Sequence, residues 1–391
     1  MTFSQVGAAV RRVLRVVGGS HYVFVPMPLP SKRDHAEFGR RLEAWFCTKL
    51  PAGSDPSVTD LAIPEGTGLS SETLLFSLET KVEGEPHTAR YVARIRPEMT
   101  DYPVFPEYDL ELQHRCLNLV AAHSDVPVPH APWIELDETP LGAPFFVMKR
   151  VDGLVPSDMP PYVFGGWLYE ATAAERATLQ HNAVGVLARL HAIDVKTPDA
   201  AFLDRPKWGA TPLDQHLRYQ RWYYDWARDD VQYDLIERMF VWLEANRPTN
   251  ERTVINWGDA RIGNIMWRDF APVAVLDWEM AAVGAPGVDV SWMIFMHRFF
   301  HDMATRHGMT GLPDFMRRDD VACHYEQMAG EPASDLEYYE VFAALRFAII
   351  SLRTTSRAIA YGDMAPIDDP SDLIMHRPLV EAMLDGSYFE S

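Results

Sequence analysis

Cysteine is scarce in this chain. Cys47, Cys116 and Cys323 are its three thiols in 391 residues, odd in number and far apart. They make neither a disulfide framework nor a zinc-ligand spacing, and they point to a reducing, cytoplasmic setting. Long apolar runs are missing too: none approaches the ~18–20 residues of a membrane span, so no membrane partner is expected. Positive charge is in deficit, with 36 Lys+Arg against 55 Asp+Glu, a net charge of −19 and a pI near 5.1. Such a surface repels phosphate backbones and argues against a nucleic-acid partner. Repeats and low-complexity tracts are absent. The one basic region is residues 1–50, with eight Lys/Arg and three Asp/Glu. Its apolar stretches around Arg11, Arg12 and Arg15 are too short for a secretory signal, and a surface helix fits them better than a transit peptide.

The chain has 47% hydrophobic and 23% charged residues, a globular composition. Its length suits two lobes rather than one simple core. The segment from Asp34 has helical apolar spacing at Phe38, Leu42, Trp45 and Phe46, ended by Pro51 and Gly53. Strand-like runs at Thr73–Leu78 and Arg90–Ile95 flank a polar turn at Glu83–Pro86, which reads as a hairpin. A helical run follows from Tyr108 to His123. A proline-punctuated loop then enters one strand, and GAPFFVMKRVDG makes another that turns at Asp152-Gly153. Beyond it the pattern becomes helical. Thr172 with Glu175 forms a capping-box pair, and Leu179, Ala183, Val186, Leu187 and Leu190 make one helix face. The reading is an α+β protein: a β-rich lobe over residues 1–148, with a helical extension over 1–55, and a helical lobe over 149–391.

One β island interrupts the helical lobe, NWGDARIGNIMWRDFAPVAVLDWEM from Asn256 to Met280. TVIN and IMW read as strands around a polar loop, RDFAP as a turn, and VAVL as a third strand ending at Asp277. Asp259 and Asn264 share the loop, five residues apart, and Asp277 follows 13 later. A hairpin would bring the three together. Two oxygen ligands near another carboxylate suit Mg²⁺, which keeps waters and takes phosphate oxygens. Phosphoryl transfer needs the same parts: one carboxylate to orient a hydroxyl, and an Asn with an Asp to hold metal on nucleotide phosphates.

G-D-x-x-x-x-N followed by Asp at this distance resembles the aminoglycoside phosphotransferase-like family, which has a bilobal protein-kinase-like fold. LDWEMAAVGAPGVDVSW looks like its metal-binding segment, GTGLSSET like its nucleotide loop, YVARIRP like its third strand and LGAPFFVMKRVDG like its hinge. The likeness spans roughly residues 60–300 and is closest to uncharacterised bacterial members. These are similar in turn to kinase modules fused to acyl-CoA dehydrogenases. The resemblance implies ATP, with GTP as the alternative nucleotide, and Mg²⁺. It implies Asp259 as the base, Arg261 as a phosphate contact, and Asn264 and Asp277 as metal ligands. Gly66, Thr67, Gly68, Ser70 and Ser71 would cover the triphosphate, Arg94 would bind phosphate, and backbone groups of Lys149 and Val151 would meet the base of the nucleotide. Three positions depart from the family pattern. Trp257 stands where His is usual, Arg94 where Lys is usual, and Gln113 where a Glu pairs with that Lys, with Glu111 one helical step away. The glycine loop also lacks a full G-x-G-x-x-G.

The function implied is transfer of the γ-phosphate of ATP to a hydroxyl of a small molecule, either aminoglycoside-like or another hydroxylated metabolite. The dehydrogenase-linked likeness implies a hydroxy acid or hydroxyacyl thioester, for which Arg346, Arg353 and Arg357 would be anion partners. The departures leave a nucleotide-binding pseudokinase as an alternative. A metal-dependent phosphoesterase is a third reading, and it would need neither the glycine loop nor the hinge. Asp289, before an apolar helical run, reads as a cap or loop brace, and His191 as structural. Trp222, Tyr223 and Trp226 read as core, or as lining for an acceptor pocket. Glu279 fits a supporting carboxylate or an exposed one equally well.

Overall fold

The computed structural model describes residues 35–63, 72–97, 102–249 and 252–390. The expected helix near Arg11–Arg15 and the Gly66–Ser71 loop lie outside the described residues. Helix α1 (His35–Lys49) leads into strands β1 (Ser57–Ala62), β2 (Glu72–Val82) and β3 (Glu85–Ile95), then helix α2 (Leu110–His123) and strands β4 (Trp133–Glu135) and β5 (Phe145–Lys149). These five strands form one antiparallel sheet in the order β1-β2-β3-β5-β4. The β2–β3 hairpin is longer than the two apolar runs suggested, because the pairing continues out to Val82 and Glu85. Glu83 and Gly84 between them both have positive φ, +54° and +87°, a turn whose twist matches that of the strands.

Alternation decides which face each strand residue takes. Leu74, Phe76 and Leu78 on β2 and Tyr91, Ala93 and Ile95 on β3 pack into one cluster with Phe38, Leu42, Trp45 and Phe46 of α1. Arg94 has the opposite parity on β3 and so faces away from that cluster, toward the helical part of the chain.

The rest of the molecule is mainly helical: α3 (Trp167–Glu170), α4 (Ala173–His191), α5 (Pro212–Ala227), α6 (Asp234–Ala245), α7 (Gly287–Arg306), α8 (Arg318–Ala329), α9 (Leu336–Ala360) and α10 (Arg377–Asp385). Both halves of the Thr172–Glu175 capping box are formed, and the predicted face of α4 is buried. Helix α2 belongs to this second core, not to the one beneath α1. Among the described residues no helix is long and apolar enough to cross a membrane.

The β island has four short strands: β6 (Val254–Asn256), β7 (Ile265–Arg268), β8 (Ala271–Val275) and β9 (Ala282–Gly284). β7 and β8 make the expected hairpin, but β6 pairs with β9, and β8 ends two residues before Asp277. Pairing β6 with β9 closes the chain into a loop of 25 residues between Asn256 and Ala282. That loop carries every polar residue singled out in this stretch.

Candidate active site

The loop after β6 is held from beneath by one carboxylate. Asp289, fully buried in the first turn of α7, accepts the backbone N–H groups of Trp257 and Gly258, each at 2.8 Å. His191 at the end of α4 adds its Nε2 at 3.1 Å, and its Nδ1 lies 2.8 Å from the Tyr325 hydroxyl. The bracing role expected of Asp289 and the structural role expected of His191 are thus one network. Burial without partners would make such a carboxylate costly; three donors offset this.

Asp259 follows directly. Its Oδ1 accepts the Trp292 indole N–H at 2.8 Å and its Oδ2 accepts Asn264 Nδ2 at 2.7 Å. Arg261 Nε approaches the two oxygens at 3.2 and 3.3 Å. The five-residue spacing works because the chain makes a 3₁₀ turn at Ile262–Asn264, begun by the Asn264 N–H bond to the Arg261 carbonyl (3.0 Å). The other end of Arg261, Nη1, is ion-paired with Asp158. Burial alone would lower the pKa of Arg261. The carboxylates of Asp158, Asp259 and Asp277 outweigh it and hold the guanidinium above its ordinary value.

Asp277 is delivered by the backbone. The Leu276 N–H donates to the Asn264 carbonyl at 2.9 Å, which sets the two candidate ligands side by side. Trp257 donates its indole N–H to the carbonyls of Leu276 (2.8 Å) and Asp277 (3.1 Å). The residue where the family pattern frays therefore still packs and bonds to the backbone, as a histidine donor would. Asp277 has φ +56°, a left-handed conformation that Asp tolerates better than most residues. Its Oδ1 lies 2.7 Å from Arg94 Nη2, and both side chains are largely buried. Arg94 takes its carboxylate here. Glu111 lies instead 3.9 Å from Arg115 on the α2 surface, and Gln113 is buried with an unpartnered amide nitrogen.

Three carboxylates (Asp158, Asp259, Asp277) thus surround two guanidinium groups (Arg94, Arg261), an excess of one negative charge. Asn264 spends its amide nitrogen on Asp259, which leaves its oxygen for a cation beside Asp277. Two protein oxygens and surplus negative charge fit a hard divalent ion that completes its shell with water and phosphate oxygens. Among the described residues no group of three His, Cys, Asp or Glu side chains forms a closed cage. At the hinge, the Lys149 N–H donates to the His130 carbonyl at 2.8 Å, and the following segment is tied down by an Arg90–Asp152 ion pair. Among the described residues no hydrogen bond or ion pair joins Lys149 or Val151 to Asp259, Asn264 or Asp277.

Two neighbours of the cluster were not visible in the sequence, and a third was legible only in another role. Asp158 lies 101 residues before Asp259, with no spacing to flag it. Trp292 sits in an apolar run that reads as core. Arg346 is expected as an anion partner for the acceptor; its Nη2 donates to the Gly258 carbonyl at 2.7 Å and its guanidinium stacks 4.3 Å from the Trp292 ring. Burial lowers its pKa to about 10, against the pull of Asp289 and Asp259, so it stays charged at neutral pH.

Arg346 also lines a solvent-open cleft of about 750 Å³ beside the loop, with Tyr108, Trp208, Tyr219, Tyr223 and Glu279. Of the aromatics expected to be core or pocket lining, Tyr223 lines the cleft. Trp222 packs on Trp208 and Tyr219 instead, and Trp226 lies beneath Arg353. Arg353 bonds the Pro103 carbonyl at 3.1 Å, and Arg357 is buried.

A family model described as the phosphotransferase enzyme family matches residues 66–318. Among curated proteins, the chain is 26% identical over 272 residues to acyl-CoA dehydrogenase family member 10 of Mus musculus, covering 66% of this chain and 24% of that protein. It is 27% identical over 269 residues to acyl-CoA dehydrogenase family member 11 of Gallus gallus, covering 67% and 31%. The chain therefore spans about a quarter to a third of the length of these curated relatives. Among solved structures, one described as an aminoglycoside phosphotransferase from Ralstonia eutropha aligns with a TM-score of 0.62 at 23% identity, over 89% of this chain and 97% of that one. An ethanolamine kinase from Plasmodium vivax aligns with a TM-score of 0.53 at 12% identity, over 86% and 85%. A complex of aminoglycoside phosphotransferase APH(4)-Ia with ADP and hygromycin B aligns with a TM-score of 0.52 at 16% identity, over 88% and 98%. These likenesses identify the fold as the bilobal, kinase-like one.

Proposed function

Because the chain belongs to the phosphotransferase enzyme family and is a small-molecule kinase by that membership, we propose that it transfers the γ-phosphate of ATP to a hydroxyl group of a small molecule, with Mg²⁺. The observation that carries this reading is the convergence of Asp259, Asn264 and Asp277 through two short contacts, Asn264 Nδ2 to Asp259 and the Leu276 N–H to the Asn264 carbonyl. A neighbour of the same fold is described as a complex with ADP and hygromycin B, which supports a nucleotide and a small acceptor in the corresponding places.

In this reading Asn264 and Asp277 hold the metal, which when bound neutralises phosphate charge. Asp259 orients the acceptor hydroxyl and takes its proton as the oxygen bonds to phosphorus and ADP departs. The oxygens of Asp259 are already directed by Trp292 and Asn264, so little reorganisation is required at the moment of transfer. Arg261 stabilises the moving phosphate. Arg94 exchanges Asp277 for nucleotide phosphate as the nucleotide enters. Gly66, Thr67, Gly68, Ser70 and Ser71 cover the triphosphate. The carbonyl of Lys149, whose N–H is already used, and the N–H of Val151 meet the nucleobase.

The acceptor occupies the aromatic cleft beside Gly258. A polycationic acceptor would want a wall dominated by carboxylates. The lining of this cleft carries three carboxylates, Glu107, Asp109 and Glu279, beside two arginines, Arg205 and Arg346, and the buried Nη1 of Arg346 has no hydrogen-bond partner. The unpartnered Arg346 nitrogen supports a hydroxylated metabolite carrying an acceptor-rich group, such as a hydroxy acid or hydroxyacyl thioester, while the three carboxylates would suit the amino groups of an aminoglycoside. Cys47, Cys116 and Cys323 are free thiols, which fits a reducing cytoplasm.

The test is a screen of hydroxylated compounds for ATP-dependent phosphorylation, with Asp259→Ala run in parallel. Transfer by the wild type that falls at least about 10³-fold in Asp259→Ala is the expected result. Equal rates would remove the mechanism. Nucleotide binding without transfer to any acceptor would favour the pseudokinase reading, which the absence of a Glu111–Arg94 or Gln113–Arg94 contact keeps in view.

A further inference from the structure

Arg261 is tethered at two of its three nitrogens. Nε rests on Asp259, and Nη1 is ion-paired with Asp158, which belongs to neither the catalytic loop nor the metal-binding segment. Among the described residues nothing bonds to the third nitrogen, Nη2. Left alone, a guanidinium prefers to meet a carboxylate end-on through two parallel N–H bonds. Here it meets Asp259 sideways, through one N–H shared between two oxygens at 3.2 and 3.3 Å. Asp158 is what holds it off.

The chain goes to some length to put Asp158 there. After the hinge, Leu154 makes a two-way backbone bridge with Trp267 on β7, N–H to carbonyl at 2.8 and 2.7 Å. That pins the segment to the hairpin of the catalytic loop. The chain then folds back on itself, with Tyr162 N–H bonded to the Ser157 carbonyl at 2.7 Å and Met159 N–H to the Ser157 hydroxyl at 3.0 Å. Asp158 projects from this turn. Its other oxygen, Oδ1, is buried with no hydrogen-bond partner, in a small cavity shared with Arg261, Gly263 and Tyr162. Gly263 makes the approach possible. A Cβ at that position would lie 2.7 Å from Arg261 Nη1 and 2.9 Å from Asp158 Oδ1. The absence of a side chain between Arg261 and Asn264 thus serves the Asp158 contact.

We propose that Asp158 is a positioning residue for phosphate transfer: it holds the Nη1 edge of Arg261, so that the guanidinium neither collapses onto Asp259 nor wanders, and Nη2 is left for the phosphate in flight. This rests on the phosphotransferase reading given above. It makes a distinct demand. Asp158 acts on the transition state through Arg261 and contributes little to binding of the nucleotide itself.

Mg²⁺–ADP binding, measured with and without fluoroaluminate as a mimic of the transferring phosphate, separates the two. The wild type is expected to bind ADP more tightly when fluoroaluminate is present. Asp158→Asn should cut that extra affinity by about tenfold while ADP alone changes less than about threefold. Asp158→Glu should recover part of it. In an Arg261→Met background, Asp158→Asn should have no further effect, because the residue it positions is gone. A full fluoroaluminate effect in Asp158→Asn, or an equal further loss on top of Arg261→Met, would overturn the proposal. A wild type that binds no Mg²⁺–ADP at all would instead overturn the phosphotransferase reading beneath it. If Asp158→Asn fails to fold, Gly263→Ala crowds the same contact from the other side and should give the same selective loss.

Discussion

Gly258 shows how much of the site depends on single atoms. Its φ is +90°, and a Cβ there would stand 2.1 Å from the Met280 carbonyl oxygen. Gly258 cannot give way easily before the turn at Met280, since its N–H is fixed on Asp289 and its carbonyl on Arg346. Gly258→Ala therefore combines an unfavourable backbone with overpacking, together about 3–5 kcal/mol. Urea unfolding should show that loss, and phosphate transfer should fall with it. A soluble Gly258→Ala protein with an unchanged unfolding midpoint would mean the loop is softer than these contacts indicate. The glycine was legible as part of G-D-x-x-x-x-N, as were Asp259, Asn264 and Asp277, because all four fall within 20 residues and chemistry sets their types. Asp158 and Trp292 were not, and Arg346 was legible as an anion partner but not as a brace of this loop. They reach the loop from three other elements, and side chains that meet only through tertiary packing leave no spacing to read.

At the level of elements, two helix starts look alike in sequence and do different work. Thr172 and Glu175 close the first turn of α4 on itself, with Glu175 N–H to Thr172 Oγ1 at 3.2 Å and Thr172 N–H to Glu175 at 2.7 Å. Asp289, at the first turn of α7, sends its carboxylate outward to Trp257, Gly258 and His191. Thr172→Ala should cost about 1 kcal/mol, as a lost cap does, without changing the transfer rate. Asp289→Asn keeps the shape but replaces one accepting oxygen with a donor, set against a backbone N–H. It should cost about 3 kcal/mol and lower the rate even well below the unfolding temperature. Thermal unfolding and initial rates on the two variants make the comparison; a rate for Asp289→Asn equal to that of Thr172→Ala would mean the carboxylate stabilises without bracing. The main helices, four of the five strands of the first sheet and the capping box could be read from periodicity and cap residues, whereas β1, with its left-handed Asp60, could not. The β6–β9 pairing could not, because three-residue strands 25 residues apart carry no pattern of their own; it is accompanied by tertiary bonds, Asn256 Nδ2 to the Ala285 carbonyl and the buried Asp289 network.

For the molecule as a whole, buried histidines set the acid limit. Burial lowers the pKa of His297 to about 3 and that of His376 to about 4, and desolvation of the half-buried His216 on the cleft wall, with the nearby Arg346, lowers it to about 4. Each is held neutral among protein groups: His297 by Tyr162 and the Leu312 carbonyl, His376 by the Ala344 carbonyl, His216 by the Val283 carbonyl. An unfolded histidine takes up its proton near pH 6.5. Below that value the unfolded chain binds protons that the folded chain refuses, so stability is fully present above about pH 6.5 and is lost as pH falls toward 4. Each histidine contributes about 1.4 kcal/mol per pH unit in that window, roughly 4 kcal/mol per unit for the three. Two effects run the other way. Acidification relieves the self-repulsion of a chain with net charge −19, though salt screens that surface effect. Burial raises the pKa of Glu340 despite Arg318 and Tyr388 beside it, so Glu340 favours the folded state at low pH and less so as pH rises, but it is one group against three. Urea unfolding in about 0.5 M salt should therefore give a free energy several kcal/mol lower near pH 5.5 than near pH 7.5, and His376→Gln should flatten that slope by about 1.4 kcal/mol per pH unit. A free energy that holds steady or rises on acidification at high salt would show that these histidines take up protons without leaving the fold.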